Sequence, residues 1–251
     1  MRRLILLFAC VAPVVFLCLV WRAPWTSLGI LALSHALLLY PTLRPSSQWL
    51  GPVITRFETS RRELWLTIDD GPTDDTPALL DILRSRGVRA TFFLKGSLAS
   101  LNEHLVRSIV DGGHTVGNHS QTHPSGSFWC LPRHRILREI DDCNRTLASI
   151  VGAPPALFRA PVGMKNPFVH PALSHSAMRL VGWSVRAYDA VNSDVDAIVR
   201  SVEKQLAPGA VVVLHQGRTW SLRAIDGVIV AAQSTGYDFI VPDASRLKTN
   251  R

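Results

Sequence analysis

The chain has 251 residues, 47% of them hydrophobic and 18% charged, with a net charge of +8 and a mean hydropathy of +0.17. These values exclude a disordered chain and leave room for one sizeable core once an apolar N-terminus is set aside. The basic residues are scattered and form no nucleic-acid module, so membrane lipid, not nucleic acid, is the expected anionic partner.

In chain order, Leu4 to Trp21 carries no charge. Eighteen residues at about 1.5 Å each reach roughly 27 Å, close to the hydrocarbon thickness of a bilayer. A second apolar run, Trp25 to Tyr40, follows the turn Arg22-Ala23-Pro24 and has an aromatic residue at each end. A cleaved signal peptide would have a shorter apolar core and a small-residue cleavage site, so an uncleaved anchor is favoured. The expected organisation is a transmembrane hairpin in residues 1–45 (helices near 4–21 and 25–40), a linker over 46–63, a soluble domain over 64–245 and a basic tail over 246–251. Arg2 and Arg3 precede the hairpin and Arg44, Arg56, Arg61 and Arg62 follow it, with only Arg22 between the runs. If both runs span a bacterial inner (cell) membrane, the positive-inside rule puts the soluble domain in the cytoplasm; if the second only lies along the surface, the domain is outside.

From Leu64 the pattern alternates. Strand-like runs fall at Leu64–Ile68, Ala90–Leu94, His114–Val116, Leu157–Arg159, Arg179–Val185, Ala210–Leu214 and Asp238–Val241. Helical spacing covers Thr76 to Arg86, Ser97 to Val110, Ile136 to Ile150 and Val195 to Leu206, the last capped by Ser193 or Asp194. Such alternation implies βα units around a parallel sheet, and about seven units suggest a barrel-like α/β fold with its functional residues at the C-terminal ends of the strands. Cys130 and Cys143 lack metal-ribbon spacing and could pair only in an oxidising compartment.

Polar clusters do stand at those strand ends. Asp69 and Asp70 close the first strand, and strand alternation should point them in different directions, for two separate roles. His119 and His123, four residues apart, can present two imidazoles to one metal, and a carboxylate such as Asp70 would complete a set with open positions. Arg159 ends another strand, where it could pair with a first-strand carboxylate, and His215 ends the strand Ala210–Leu214.

Five segments together resemble the polysaccharide deacetylases, the NodB-homology domain of carbohydrate esterase family 4. They are Thr67-Ile68-Asp69-Asp70-Gly71-Pro72, His119-Ser120-Gln121-Thr122-His123, Arg159-Ala160-Pro161-Val162-Gly163, Trp183 to Asp189, and Val213-Leu214-His215, in that order. The resemblance implies a distorted (β/α)7, TIM-barrel-like fold and an acylated amino-sugar glycan as substrate, in a polymer or on a polyprenyl phosphate. It implies Asp69 as general base, Asp70, His119 and His123 as metal ligands, Arg159 as the partner that keeps Asp69 ionised, and His215 as general acid tuned by Asp189. Pro161, Val162, Trp183 and Leu214 would contact substrate. The metal implied is divalent, zinc first, with cobalt, nickel, manganese or iron as alternatives. Val162, Arg186, Ala190 and Gln216 depart from common family residues, which alters the groove rather than the reacting set. An O-acetyl esterase on the same scaffold, or a non-catalytic glycan-binding membrane protein, are the other readings.

Overall fold

The structure is a computed structural model that describes residues 1–249. Two helices come first, α1 (Arg2–Leu19) and α2 (Pro24–Leu43), both long and apolar enough to cross a membrane. They pack as an antiparallel pair through residues seven apart, Ile5 and Ala12 on one helix and Ser27, Ser34 and Pro41 on the other. That period keeps one seam in contact, as in coiled coils and membrane bundles. The hydroxyls in the seam return to their own helix, Ser27 donating to the Pro24 carbonyl and Ser34 to that of Leu31. Leu4, Leu7, Val14, Leu17, Trp21 and Trp25 face outward, each more than half exposed.

The remainder is a nearly closed, barrel-like α/β sheet. Its elements are β1 (Ile54–Phe57), β2 (Glu63–Gly71), α3 (Thr76–Ser85), β3 (Thr91–Leu94), α4 (Gly96–Leu101), α5 (Glu103–Asp111), β4 (Thr115–Asn118), α6 (Arg133–Val151) and β5 (Leu157–Phe158). After them come α7 (Val169–His175), β6 (Arg179–Leu180), β7 (Val185–Arg186), α8 (Val195–Glu203), β8 (Ala210–His215), α9 (Ser221–Ser234), β9 (Asp238–Phe239) and β10 (Leu247–Thr249). The order β8-β2-β3-β4-β5-β6 is parallel throughout. β2 and β8 are buried almost from end to end, and their apolar runs Leu64–Leu66 and Ala210–Leu214 suit strands covered on both faces.

Alternation sorts the side chains into two layers. Leu64, Leu66 and Ile68 of β2 and Ala210, Val212 and Leu214 of β8 pack against the surrounding helices. Trp65 of β2, Phe93 of β3 and Val211 of β8 fill the barrel interior. Asp194 caps α8 by accepting from the Ala197 amide, 3.0 Å.

Several elements differ from the sequence reading. The run Arg179–Val185 is split: β6 pairs with β5, while β7 pairs with β8. Between them Val181 bridges Ile54, and the Gly182 amide donates to the Ile54 carbonyl. The stretch read as a linker therefore contains β1, which helps close the barrel; four residues are too few to show a period. β9 joins only the first two residues of β2. Part of the segment read as a tail forms β10, antiparallel to β1, and residues 250–251 lie outside the described residues. The helix expected over Ser97–Val110 breaks at Asn102, whose ψ of +48° is not helical. Helix α9 went unread because Gly227 and its Val and Ile residues are weak helix formers, although Ala224, Ile225, Val228, Ile229 and Ala232 bury one face. Cys130 is exposed and Cys143 is buried on α6; both are free, and burial pushes the Cys143 thiol up to about 12.

Candidate active site

The five segments meet at one rim of the barrel, at the C-terminal ends of β2, β4, β5, β7 and β8. Asp69 is 2% exposed. It accepts from Arg159 Nη1 at 2.7 Å. Arg159 itself is fully buried inside the barrel, its guanidinium 4.2 Å from the centre of the Phe93 ring. It also donates to Thr67 Oγ1 at 2.8 Å, the Gly182 carbonyl at 2.9 Å and the Val181 carbonyl at 3.3 Å. One guanidinium thus satisfies a carboxylate and ties β2 to the split between β6 and β7. Burial pulls its pKa down while Asp69 holds it up, and arginine stays charged even so.

The two carboxylates do not diverge as strand alternation predicts. The β2–β3 register shifts between Asp69 and Gly71, and Asp70 takes a left-handed backbone with φ +78°. This bulge turns Asp70 back towards its neighbour. His119 Nε2 lies 3.8 Å from Asp69 Oδ2 and 3.9 Å from Asp70 Oδ1, and His123 Nε2 lies 3.6 Å from Asp70 Oδ1. Asp70, His119 and His123 each offer one donor atom within 4.8 Å of the others.

The donor set fits a divalent cation. Asp70 Oδ1 is buried with no hydrogen-bond partner among the described residues; Lys95 Nζ stands 2.8 Å away as an ion pair, outside hydrogen-bond geometry. His119 Nδ1 lies 2.9 Å from the Arg159 carbonyl, which can only accept, so Nδ1 carries the hydrogen and Nε2 presents its lone pair to the site. Burial outweighs the neighbouring carboxylates and keeps His119 neutral; burial and His119 push His123 down to about 3. Burial opposes ionisation of Asp70, but the positive groups facing it, His119 when protonated and Lys95, hold the carboxyl well below the usual range. Two neutral imidazoles and an ionised carboxylate are the protonation states that a metal requires.

His215 sits opposite Asp69 in the β2–β8 register. Its Nδ1 is 3.0 Å from Asp189 Oδ1, and its amide donates to Asp189 Oδ2 at 2.6 Å. Burial works against its charge, but the Asp189 carboxylate overcomes this and raises the imidazole above its ordinary value.

Of the residues expected to contact substrate, Val162 is 44% exposed with φ +49° on the turn after β5. Pro161 is buried beneath it, and Trp183 is half-buried, facing Gly163, where an added Cβ would come within 2.4 Å of the indole. Leu214 is a correction. It is fully buried among the helix-facing residues, because alternation along β8 turns it away from the rim that His215 faces.

The sequence reading missed Lys95, the support beneath the histidine segment and the cradle of Gln216. Glu139 on α6 accepts from the Thr122 amide at 2.8 Å and its hydroxyl at 2.6 Å, and Asn118 accepts from the Ser120 amide at 2.7 Å. Gln216 Nε2 donates to Thr73 and Thr76 hydroxyls at 2.6 and 2.8 Å. Non-glycine residues with positive φ are another unread signal. Asp70, Ser120, His123, Val162 and Tyr188 lie in or beside the five segments, with Ala177 the remaining case among the described residues. Each costs roughly 1–3 kcal/mol, a strain that concentrates at functional sites.

The family model described as "Polysaccharide deacetylase" matches residues 57–181. The chain is similar to a chitooligosaccharide deacetylase of Rhizobium leguminosarum bv. phaseoli, 42% identical over 162 residues, which are 63% of this chain and 70% of the relative. It is 28% identical over 193 residues to the peptidoglycan-N-acetylglucosamine deacetylase PgdA of Listeria monocytogenes, covering 76% of this chain and 40% of that one. Among solved structures, a family 4 carbohydrate esterase from Streptomyces lividans in complex with acetate superposes with a TM-score of 0.67 and 34% identity, over 75% of this chain and 98% of that one. The chain belongs to the polysaccharide deacetylase family, carbohydrate esterase family 4.

Proposed function

We propose that this chain is a membrane-anchored, metal-dependent enzyme that removes the N-acetyl group of an amino sugar in a glycan carried on a polyprenyl phosphate. The observation that carries the enzyme reading is the convergence of one Asp70 oxygen and two neutral imidazoles within 4.8 Å of one another, beside the cross-strand pair of Asp69 and His215. Asp70, His119 and His123 would hold the metal, zinc first; when bound it supplies Lewis-acid polarisation of the acyl oxygen and a more acidic water. Asp69, ion-paired with Arg159, takes the proton of the attacking water. The backbone N–H of Val162 donates to the developing oxyanion. His215, its affinity for a proton raised by Asp189, passes that proton to the departing sugar nitrogen, without which an amine does not leave.

The relatives' names support an acetylated amino sugar, since one is named for chitooligosaccharides and another for peptidoglycan N-acetylglucosamine. Three features support the membrane and lipid part: the two span-length helices, their outward apolar faces, and the exposed Arg186 in the fourth segment. Both ends of the hairpin meet the domain, so two true spans and the arginine distribution favour a cytoplasmic site.

The test measures acetate release from N-acetylglucosamine oligomers by full-length protein, beside metal content and an O-acetylated control. Asp69→Asn should lower turnover by about 10²–10⁴-fold, the range for removal of a general base, and should leave bound metal unchanged. Loss of metal in Asp69→Asn, or wild-type release from the O-acetylated substrate alone, would reject the assignment.

A further inference from the structure

Between the base of the hairpin and the domain lies a half-open cavity of about 620 Å³ that is separate from the reacting residues. Leu6 and Ala9 of α1 and Leu38 of α2 form one side, and Trp129, Leu131 and Phe168 of the domain the other. Such a volume lies within the usual range for a single ligand, about 300–1,000 Å³, and a wall this apolar suits hydrocarbon rather than water. The lining runs along α1 from Arg2 to Cys10, a rise of about 12 Å.

One end of this apolar channel is cationic. Arg2 lines it, and its Nε is buried without a partner among the described residues. Lys165 is buried nearby and donates to the Arg44 and Pro45 carbonyls; neither cation forms an ion pair among the described residues. His170 Nε2 is also buried and unpartnered. Burial pushes that imidazole down to about 4, with Lys165 and Arg2 adding to the shift, so the local field is positive and lacks a matching anion. Arg2 marks the domain end of α1, and Ala9 and Cys10 lie farther towards the hairpin tip. An anionic head at Arg2 with its chain along Leu6 and Ala9 has the polarity of a lipid lying alongside the hairpin.

The cavity is joined to the catalytic rim by two of the rim's loops. The segment after His123 continues to Trp129 and Leu131, and the turn at Val162 continues through Lys165 and Asn166 to Phe168. Asn166 Nδ2 donates to the Leu131 carbonyl at 2.9 Å and ties the two loops together at the cavity wall. We propose that this cavity seats the hydrocarbon chain of the phosphate-linked lipid that carries the sugar, with the lipid phosphate at Arg2. The inference rests on the lipid-linked reading above and adds the site that would recognise the carrier.

The experiment uses full-length protein in phosphatidylcholine nanodiscs with a photoactivatable farnesyl phosphate, and maps adducts by mass spectrometry. Adducts are expected in segments 5–10, 128–132 and 166–168, with competition by unlabelled farnesyl phosphate but not by equal phosphatidylglycerol or farnesol. Ala9→Trp, which fills the cavity, should cut labelling at least about tenfold; Leu38→Trp does the same from the second helix if the first variant folds poorly. Arg2→Gln should weaken binding about fivefold, the equivalent of roughly 1 kcal/mol for one cation at a membrane surface. Unchanged labelling in folded Ala9→Trp and Leu38→Trp overturns the proposal, as does equal competition by phosphatidylglycerol or farnesol. Labelling does not depend on turnover, so Asp69→Asn should label like the wild type. Acetate release without labelling would remove the lipid site alone, whereas labelling without acetate release would remove the enzyme reading alone.

Discussion

The barrel rim and the hairpin base are both buried junctions that hold cations, and they treat them differently. At the rim, Arg159 meets a carboxylate, a hydroxyl and two carbonyls, and Lys95 stands against Asp70. At the base, Lys165 meets only the carbonyls of Arg44 and Pro45, and Arg2 Nε meets no partner among the described residues. A buried cation with an ionised partner keeps its charge and fixes the field around it. One bonded only to neutral carbonyls is pushed towards losing its proton, and burial brings Lys165 down to about 8. The rim is therefore preorganised for charge to move through it, and the base is open to an incoming anion.

Arg159→Met should break the rim most severely. It leaves Asp69 buried without its cation and releases the Val181 and Gly182 carbonyls where the barrel closes. Breaking a buried pair from one side costs about 3–5 kcal/mol. At about 2–4 °C per kcal/mol for a domain of this size, Tm should fall on the order of 10 °C. Arg159→Lys should recover part of this loss because it restores the charge without the fork. A Tm within about 2 °C of wild type for the Met variant would mean that the guanidinium does not hold the closure together.

Asp189→Asn is expected to have an intermediate effect, visible in the pH profile. Asp189 raises His215 against the pull of burial, so the protonated acid should persist above its ordinary pKa of about 6.5 and set the alkaline limb of kcat/KM. Removing the carboxylate leaves burial opposed only by the more distant charges of Asp69 and Asp70, and the limb should move to lower pH. The pair's contribution to stability has the same sign: it is present below about pH 6.5 and fades as pH rises through the folded-state value of His215. An alkaline limb unmoved by Asp189→Asn would show that a group other than His215 donates the proton.

These two regions were also unequally legible in the sequence. The rim residues stand in short runs at the ends of apolar strands, and alternation of strand and helix is a local signal, so Asp69, His119, Arg159 and His215 could be placed at one edge before any coordinates. What failed there depended on single backbone torsions or on partners far along the chain. The bulge that turns Asp70 towards Asp69 needs a left-handed aspartate, and no composition rule announces one. Leu214 was misread because adjacency to His215 was given more weight than the period of two that sends it to the other layer. The base was legible only as apolar composition. Its working features, β1 against Val181, Lys165 against Arg44 and the cavity between hairpin and loops, arise from pairings more than 100 residues apart in the first two cases.

Lys165→Met should have the smallest effect and isolates the base from the rim. The substitution keeps length and apolar stem but removes both donors from the Arg44 and Pro45 carbonyls, so a loss near 1 kcal/mol is expected at neutral pH. The wild-type lysine titrates at about 8 when folded and near 10.4 when unfolded. Between those values the unfolded chain holds a proton that the folded chain has released, so wild-type stability gains as pH rises across the window. The Met variant cannot gain in this way, and every other titrating group is shared by the two proteins and cancels in the difference. The stability gap should therefore widen from pH 8 towards pH 10.4, while acetate release at saturating substrate stays within about twofold because Lys165 makes no contact with Asp69 or Arg159 among the described residues. A constant gap across that range would mean that burial does not press on Lys165, and a large loss of turnover would mean that the hairpin base holds the catalytic loop after all.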